Sequence, residues 1–264
     1  MIKKKLFFIA IFIISIVLFV LLFFSGLFGA PLYWKINYDK YYMDNFYNNG
    51  TLLELDSDNY NDIGIRYSKY CKNLNSVIIR DTVESFDYFS YMDLKKLQYI
   101  YICGNLNDWS FLKKCTNLET LYIDNSNFSD FSLLAECSEL QSLLLATNHE
   151  VNYSGIEKLK SLKSLSLVLK EYDMNEICKL NSLQSLYFSN NPINDYELLK
   201  EMNLNDLGFS NYENSEKFLV LLRNSESISN IFFTECSFSM SEDKLRSLIN
   251  TNLKVDFDNC IFDD

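Results

Sequence analysis

The sequence is poor in residues that interrupt regular structure or carry chemistry. Two prolines, seven glycines and one histidine occur among 264 residues. The single histidine, His149, cannot form a histidine metal cluster, and beside Glu150 in a predicted loop it is interpreted as an exposed turn residue. The chain also has no glycine-rich phosphate loop, no C-x-x-C pair and no D-x-D-x-D-G calcium loop. These absences argue against an enzyme and against a metal or other cofactor.

Positive charge is also scarce. The chain has 24 basic and 35 acidic residues, which gives a formal net charge of −11. Three of the basic residues, Lys3, Lys4 and Lys5, precede the first apolar run, so 21 basic and 35 acidic residues remain, a formal −14. Because such a surface repels phosphate groups, nucleic acid and anionic membrane surfaces are not expected partners.

One long apolar run lies near the N-terminus. It extends from Leu6 to Phe24, interrupted only by Ser15, and its 19 residues would span roughly 28 Å as a helix, close to the ~30 Å core of a bilayer. A cleaved signal peptide is the alternative, but its apolar region usually has about 7–15 residues. The basic flank favours a cytoplasmic N-terminus. We therefore expect a cytoplasmic flank at 1–5, an uncleaved transmembrane signal anchor at 6–28, and an extracellular remainder. The protein would be a single-pass protein of the cell membrane, and residue usage typical of AT-rich genomes suggests a bacterial cell surface.

A short pattern, L-x-x-L-x-L, recurs every 21 to 22 residues through the middle of the chain, with copies starting at Leu118, Leu140, Leu162 and Leu183. Centring each unit on its last two hydrophobic positions extends the series in both directions. The spacing is regular in the middle and loose at both ends, as expected when terminal units act as caps. The predicted strand pairs are Leu53/Leu55, Val77/Ile79, Ile100/Ile102, Leu121/Ile123, Leu143/Leu145, Leu165/Leu167, Leu186/Phe188, Leu207/Phe209, Ile231/Phe233 and Val255/Phe257.

Polar residues follow the predicted strands at two fixed positions. The first position can bond the backbone of the turn that leaves the strand. It is occupied by Asn105, Ser126, Asn148, Asn191, Cys236 and Cys260. The second position can cap the short helix that follows. It is occupied by Asp108, Asp130 and Asp195.

These motifs resemble the leucine-rich-repeat superfamily, and the asparagine–hydrophobe–aspartate spacing resembles the short bacterial internalin-type class. The resemblance covers about Leu74 to Phe262 and implies an α/β repeat solenoid, curved and right-handed, with a parallel sheet on its concave face. We assign 29–73 to a stalk and N-terminal cap and 74–264 to the leucine-rich-repeat domain. Because Lys170 and Tyr212 replace the asparagine in two repeats, only the architecture of the internalins is carried over, and not their receptor partners.

Cysteine and leucine alternate at one repeat position, three residues before the first leucine of the pattern. This position is occupied by Cys71, Cys115, Cys137, Leu159 and Leu180. We interpret these cysteines as small buried hydrophobes, with disulfides as the alternative. Cys236 and Cys260 share a different position and are the pair best placed to bond.

The residue between the two hydrophobes of each strand should point away from the core, because strand side chains alternate between faces. Stacked repeats would align these residues in a column. In order they are Glu54, Ile78, Tyr101, Tyr122, Leu144, Ser166, Tyr187, Gly208, Phe232 and Asp256. Aromatic side chains on a rigid sheet supply contact area at low entropic cost; the alternative is that tyrosine is simply a good strand former in a tyrosine-rich chain. The predicted ligand-binding residues are Tyr99, Tyr101, Tyr122, Asp124, Leu144, Tyr187 and Phe232.

The sequence therefore predicts a membrane-anchored repeat protein that binds another protein, or a cell-surface polymer, noncovalently through its concave face. The alternative is a structural scaffold of a cell-envelope complex, which would make its contacts through the edges or the convex side. Neither function requires a catalytic residue.

Overall fold

The structure is a computed structural model, and the residues it describes are 51–55, 68, 71, 73–80, 89–190, 193, 195–213, 227–248 and 253–263. The predicted flank at 1–5 and signal anchor at 6–28 lie outside these residues, as does most of the predicted stalk at 29–73. Among the helices of the described ranges, none is long and apolar enough to cross a membrane.

Ten parallel strands form one sheet in the described part of the chain, and each pairs with the next of these ten along the sequence. Every strand pair predicted from the repeat is confirmed. The strands are β1 (Leu52–Leu55), β2 (Ser76–Ile79), β3 (Tyr99–Cys103), β4 (Thr120–Ser126), β5 (Ser142–Thr147), β6 (Ser164–Val168), β7 (Ser185–Ser189), β8 (Asp206–Ser210), β9 (Asn230–Thr234) and β11 (Lys254–Asp258). A second, two-stranded sheet joins β10 (Ser237–Phe238) to β12 (Ile261–Phe262).

Short helices occupy several of the returns from one strand to the next. A coil of 21 or 22 residues leaves little room after its strand, so most of these helices are single 3₁₀ turns. The 3₁₀ helices are Leu94–Lys96, Ser110–Lys114, Phe131–Leu134, Ile156–Lys158 and Tyr196–Lys200. Two described returns contain α-helices, α1 (Met174–Ile177) and α2 (Glu242–Leu248).

Aspartate side chains at the predicted repeat position hold the starts of two of these helices. Asp130 accepts hydrogen bonds from the backbone nitrogen (3.0 Å) and the hydroxyl (2.9 Å) of Ser132. Asp108 accepts two equivalent bonds from Ser110, both 2.7 Å long, and these bonds lower the pKa of the Asp108 carboxyl. Asp195 precedes its helix as predicted but makes no side-chain capping bond. The predicted capping role is confirmed at two of the three aspartates.

The core is a continuous spine, because each inward side chain lies beside its equivalent on the next strand. Five residues of this spine lie in register on consecutive strands, and each is at most 1% exposed. They are Ile100, Leu121, Leu143, Leu165 and Leu186. Full burial of one such side chain is worth about 1.5–3 kcal/mol. The stack therefore depends on contacts between neighbouring coils, as the repeat predicted.

Phenylalanines replace the aliphatic side chains of the spine toward the C-terminal end. The rings of Phe188, Phe209, Phe233 and Phe257 are stacked, with successive centroid distances of 6.3, 5.5 and 5.7 Å. Phe238 packs edge-on against both Phe233 (5.1 Å) and Phe257 (5.4 Å). Aromatic contacts of this kind add about 0.5–1.5 kcal/mol each beyond their buried area.

The polar position after the strand differs from the prediction in the coils that follow β3 and β5. Ser126 bonds the turn as predicted: its hydroxyl accepts a bond from the backbone nitrogen of Phe128 (3.3 Å), and the residue is buried. In the next coil the position is filled by Thr147, whose hydroxyl donates to the Ser126 carbonyl (2.8 Å), whereas the predicted Asn148 is exposed. The pairing of β4 with β5 shifts register between Ile123 and Ser126, which accounts for the one-residue displacement.

Asn105 was predicted to bond the turn after β3, but it is exposed. Asn127 of the following coil bonds this turn instead. Its side-chain oxygen accepts from the backbone nitrogen of Leu106 (3.1 Å) and from the indole nitrogen of Trp109 (2.9 Å). Its amide nitrogen donates to the Leu106 carbonyl (2.9 Å). The bond between turn and side chain therefore crosses from one coil to the next.

Tyr172 takes over the polar role in the coil after β6, where Lys170 stands at the asparagine position and is exposed. The phenol of Tyr172 donates to the backbone carbonyl of Ser189 (2.5 Å) and accepts from the backbone nitrogens of Ser189 (3.2 Å) and Leu169 (3.5 Å). Burial raises the pKa of this phenol. Tyr172 thus links the end of β6 to the end of β7.

All seven cysteines are free thiols, including Cys236 and Cys260. The Cys236 thiol donates to the Phe209 carbonyl (3.5 Å), and the Cys260 thiol donates to the Phe233 carbonyl (3.4 Å). Cys71, Cys115 and Cys137 are buried, and burial raises the pKa of each to about 12. Their interpretation as small buried hydrophobes is confirmed.

Candidate functional site

Side chains that point away from the core cover one side of the ten-stranded sheet, which we call the outer sheet face. They form three rows, before, between and after the two core positions of each strand. The middle row is the predicted column, and every neighbouring pair in it is in register, from Glu54 beside Ile78 to Phe232 beside Asp256. The predicted column is confirmed as an arrangement in space.

Five of the seven predicted binding residues lie together on β3, β4 and β5, and we call them the tyrosine patch. Tyr99 packs edge-on against Tyr122, with centroids 5.8 Å apart and planes at 77°. Tyr101 is in register with Tyr122, which is in register with Leu144. All four are half-buried. Asp124 completes the patch in the third row, beside Cys103.

Two charged residues beside the tyrosine patch, Arg80 and Glu54, are paired with each other. The guanidinium of Arg80 lies 5.8 Å from the ring centroid of Tyr101 and pairs with Glu54 at 2.8 Å. Burial, with a smaller contribution from Asp124, raises the pKa of Tyr101, and burial also raises that of Tyr99. Both phenols are therefore neutral hydrogen-bonding groups at pH 7, attached to rings that offer apolar contact area.

The other two predicted residues, Tyr187 and Phe232, form a separate group with Gly208, which we call the aromatic platform. A Cβ atom on Gly208 would lie 2.1 Å from Cδ1 of Tyr187, so the tyrosine ring lies directly over the glycine backbone. The ring centroids of Tyr187 and Phe232 are 6.3 Å apart, with an interplanar angle of 34°. Only glycine at position 208 leaves room for this arrangement. Burial raises the pKa of Tyr187, and the charge of Asp206 adds to the effect.

Polar side chains flank the aromatic platform on both sides. In the first row, Asp206 accepts hydrogen bonds from the Ser185 hydroxyl (2.9 Å) and from the Asn230 amide (2.7 Å), one on each carboxylate oxygen. These two bonds fix the orientation of the carboxylate. In the third row the residues in register across β7, β8 and β9 are Ser189, Ser210 and Thr234.

The predicted binding residues therefore form two groups. Tyr122 lies on β4 and Tyr187 on β7, three strand spacings apart, or roughly 14 Å at about 4.8 Å per strand. Between them the outward positions of β5 and β6 include Ser142, Ser164 and Ser166. A ligand that touched both groups would have to span this strip of serines.

The sequence matches no protein-family model and no curated protein, but solved structures share its backbone. The internalin InlF from Listeria monocytogenes aligns at 24% identity over 81% of this chain and 62% of that chain, with a TM-score of 0.57. The internalin InlC2 from the same species aligns at 20% identity over 71% of this chain and 82% of that chain, with a TM-score of 0.51. The chain has the leucine-rich-repeat fold.

A leucine-rich-repeat protein from Leptospira interrogans aligns as well, at 19% identity over 74% of this chain and 52% of that chain, with a TM-score of 0.50. This leucine-rich-repeat chain spans about three fifths of the length of the InlF structure. These structures confirm the predicted resemblance for the fold. Sequence identities this low carry no information about binding partners.

A cavity of about 480 Å³ lies at the rim of the leucine-rich-repeat sheet, beyond the ends of β5 and β6. Its walls include His149, Lys170, Tyr153 and Tyr172. His149 is exposed, as interpreted from the sequence. Within the described ranges no three His, Cys, Asp or Glu side chains are placed to hold a metal ion.

Sequence reasoning missed three features of the outer sheet face. Arg80 lies two residues after Ile78, at the third-row position that Asp124 occupies on β4, but it was not included among the predicted binding residues and its contact with the Tyr101 ring was not foreseen. The hydrogen bonds of Asp206 depend on which strands are neighbours and how they are aligned. The role of Gly208 did leave a signal, because a glycine inside a strand often marks a close approach of another group, and the preceding repeat carries Tyr187 at the same position.

Proposed function

We propose that this leucine-rich-repeat chain binds another protein noncovalently through the outer sheet face, the concave side of such a stack, with the tyrosine patch as its main contact. One observation carries the proposal. Tyr99, Tyr101, Tyr122 and Leu144 lie side by side on adjacent strands and remain partly exposed. An enzyme would instead require converging reactive groups.

The tyrosine patch offers contact surface that is already ordered before a partner binds. The backbone under the tyrosine patch is fixed by parallel pairing on both sides, so little backbone entropy is lost on association. Aromatic side chains with a polar group dominate the energetics of many interfaces. The Arg80–Glu54 pair is solvent-exposed, and exposed pairs contribute little affinity. We therefore expect it to influence which partner is selected more than how tightly the partner binds.

The test of this function is a double substitution, Tyr101→Ala with Tyr122→Ala, in the full chain. After a binding protein has been isolated with the wild type by crosslinking, its affinity for both forms is measured. Removing two aromatic anchors should weaken binding by roughly 10- to 100-fold. The thermal unfolding midpoint should stay close to that of the wild type, since neither side chain is part of the core. Unchanged affinity would place the site elsewhere.

The matched control is Lys113→Ala with Lys114→Ala, on the exposed side of the 3₁₀ helix Ser110–Lys114. This pair lies outside the sheet and should not affect binding. It also tests the alternative function predicted from the sequence, a structural scaffold of a cell-envelope complex that uses the edges or convex side. Loss of a partner in the lysine variant, with retention in the tyrosine variant, would favour the scaffold.

The proposal also covers where the protein lies in the cell. The apolar run from Leu6 to Phe24 and the three lysines before it support a single membrane span with the repeat domain outside a bacterial cell. Two measurements test this placement. The chain should remain in the membrane pellet at alkaline pH, and protease added to intact cells should digest the repeat domain. Release of a shortened soluble form would show that the signal is cleaved.

A further inference from the structure

We propose that the aromatic platform of Tyr187, Gly208 and Phe232 is a second binding site, specific for a neutral hexopyranose sugar. The inference goes beyond the proposed protein binding, which is centred on the tyrosine patch three strands away. It rests on the chemistry of three adjacent strands, β7, β8 and β9, whose outward side chains form three aligned rows.

The middle row supplies an apolar surface of suitable shape. One face of a pyranose ring consists largely of C–H groups, and these pack well on the face of an aromatic ring. The Cδ1–Cε1 edge of the Tyr187 ring lies over the backbone of Gly208. The side chain is half-buried, so part of its aromatic surface is open to solvent. The ring of Phe232, tilted by 34° at a centroid distance of 6.3 Å, extends this aromatic surface onto β9.

The first row supplies hydrogen-bonding groups in a fixed orientation. The two carboxylate oxygens of Asp206 already accept bonds from Ser185 and Asn230. Each oxygen of an ionised carboxylate has a second lone pair, so Asp206 can still accept bonds from sugar hydroxyls. The carboxylate does not have to be ordered on binding, which removes an entropic penalty.

The third row supplies hydroxyl groups on the opposite side of the platform. Ser189, Ser210 and Thr234 are aligned across the three strands and half-buried. A hydroxyl both donates and accepts hydrogen bonds, as do the hydroxyls at the rim of a sugar ring. Polar groups on both sides of an aromatic surface match a ligand whose face is apolar and whose whole rim is polar.

The charge near the platform decides between neutral and anionic sugars. The outward charged residues of β8, β9 and β11 are three acids, Asp206, Asp256 and Asp258, and one base, Lys254. The ammonium of Lys254 lies 3.3 Å from the Asp256 carboxylate. The local formal charge is therefore −2, which disfavours sugars that carry carboxylate or sulfate groups. A neutral sugar meets no such repulsion.

The experiment is titration calorimetry of the full chain with cellohexaose and the fully N-acetylated chitohexaose as neutral probes and the hexamer of galacturonic acid as the anionic probe. The protein is kept in a polyoxyethylene detergent, whose head group contains no sugar. We expect saturable binding of at least one neutral hexasaccharide and none of the acidic one. Because the probes are free oligosaccharides, binding would not depend on the protein part of a glycoprotein.

Two variants locate the binding. Tyr187→Ala removes the stacking ring and should weaken binding by about tenfold or more. Gly208→Ala removes no ligand contact, but its new methyl group would lie 2.1 Å from the tyrosine ring and must displace it. We expect a comparable loss of affinity. If Gly208→Ala does not fold, Tyr187→Ala alone decides.

The matched control is Tyr101→Ala in the tyrosine patch, which should leave sugar affinity within twofold of the wild type. Three results would overturn the inference: no heat of binding with either neutral probe at millimolar concentration, equal binding of the acidic probe, or binding that Tyr187→Ala leaves intact. Sugar binding lost in Tyr101→Ala but retained in Tyr187→Ala would move the site to the tyrosine patch. Protein binding is measured separately, so failure of this inference leaves the proposed function standing.

Discussion

Single residues decide what the outer sheet face of this protein can present. Gly208 is the clearest case, because the absence of a side chain at one column position leaves room for an edge of the Tyr187 ring over the sheet. Tyr172 is the corresponding case at the rim, where one phenol bonds backbone groups at the ends of two strands. In both cases a residue that departs from the repeat pattern makes a contact with the neighbouring coil: Gly208 leaves room for Tyr187, and Tyr172 bonds the end of β7.

The role of Tyr172 can be tested by Tyr172→Phe. The change keeps the ring contact with Phe188, whose centroid is 4.9 Å away, but it leaves the buried backbone nitrogen of Leu169 and the partly buried backbone groups of Ser189 without the phenol. An unsatisfied buried polar group costs about 1–3 kcal/mol, and we expect a loss of that size in the free energy of unfolding measured with urea.

The matched control is Tyr122→Phe, which removes a hydroxyl from a half-buried ring on the outer sheet face. This variant should unfold within about 0.5 kcal/mol of the wild type, as surface substitutions usually do. If Tyr172→Phe were no less stable than Tyr122→Phe, the phenol would not be holding the two strand ends together.

The strands are the elements that the sequence predicted best. Alternation with a period of two fixes which side chains face the core, and the repeat fixes which residues become neighbours. The pairing of Ile100, Leu121 and Leu143 follows from those two facts alone. The burial of a cysteine at a position that leucine occupies elsewhere follows from the same reasoning.

The turns could be predicted only in part. The exposed Asn148 and the buried Thr147 exchange roles because the pairing of β4 with β5 slips by one residue, which no pattern within a single repeat reveals. The packing of the Tyr187 ring over Gly208, on the neighbouring strand, could not be predicted either. Both facts concern contacts between coils, and a linear pattern carries little information about those.

The helix caps offer a test at the scale of one element. Asp130→Ala removes the two bonds to Ser132 and one from the Asn152 amide (3.1 Å). Loss of a capping side chain typically costs about 0.5–2 kcal/mol, and we expect such a decrease in unfolding free energy. Urea denaturation of the purified chain gives the value.

Asp195→Ala is the paired variant, because Asp195 occupies the same repeat position without a side-chain capping bond. Its effect should be smaller, within about 0.5 kcal/mol of the wild type. Equal losses in the two variants would show that the aspartate acts through its charge or backbone conformation and not through the capping bonds.

At the scale of the whole molecule, each coil packs mainly on its two neighbours, so stability builds up along the stack. The buried thiols make that stability depend on pH. Cys115 and Cys137 have pKa values of about 12 in the folded chain, because burial penalises the thiolate. In the unfolded chain a thiol ionises near pH 8.5. The folded state therefore holds these protons more tightly than the unfolded state.

It follows that the stabilisation by these thiols is fully present below about pH 8.5 and is lost as the pH rises toward 12. The slope is at most about 1.4 kcal/mol per pH unit for each thiol. Unfolding free energies should be measured at pH 8 and pH 10.5 for the wild type and for Cys115→Ala with Cys137→Ala. The wild type should lose more stability over this interval. Identical losses would mean that the thiols are not shielded from water.

The predicted placement of the chain in a bacterial membrane also belongs to this scale, and it remains a prediction from the run Leu6 to Phe24. The fold does not depend on it. Under the two proposals, the separation of the tyrosine patch from the aromatic platform would allow a protein and a sugar to bind the same molecule at different strands.

The most direct test of binding through the outer sheet face is site-specific photo-crosslinking of the full chain in living cells. A photoreactive phenylalanine analogue is placed at Tyr101, at Tyr122 and, as the control, at Lys113 on a return helix. After irradiation, we predict a discrete covalent adduct with one protein from positions 101 and 122, and none from 113. An adduct from position 113, with none from the two tyrosine positions, would contradict the account.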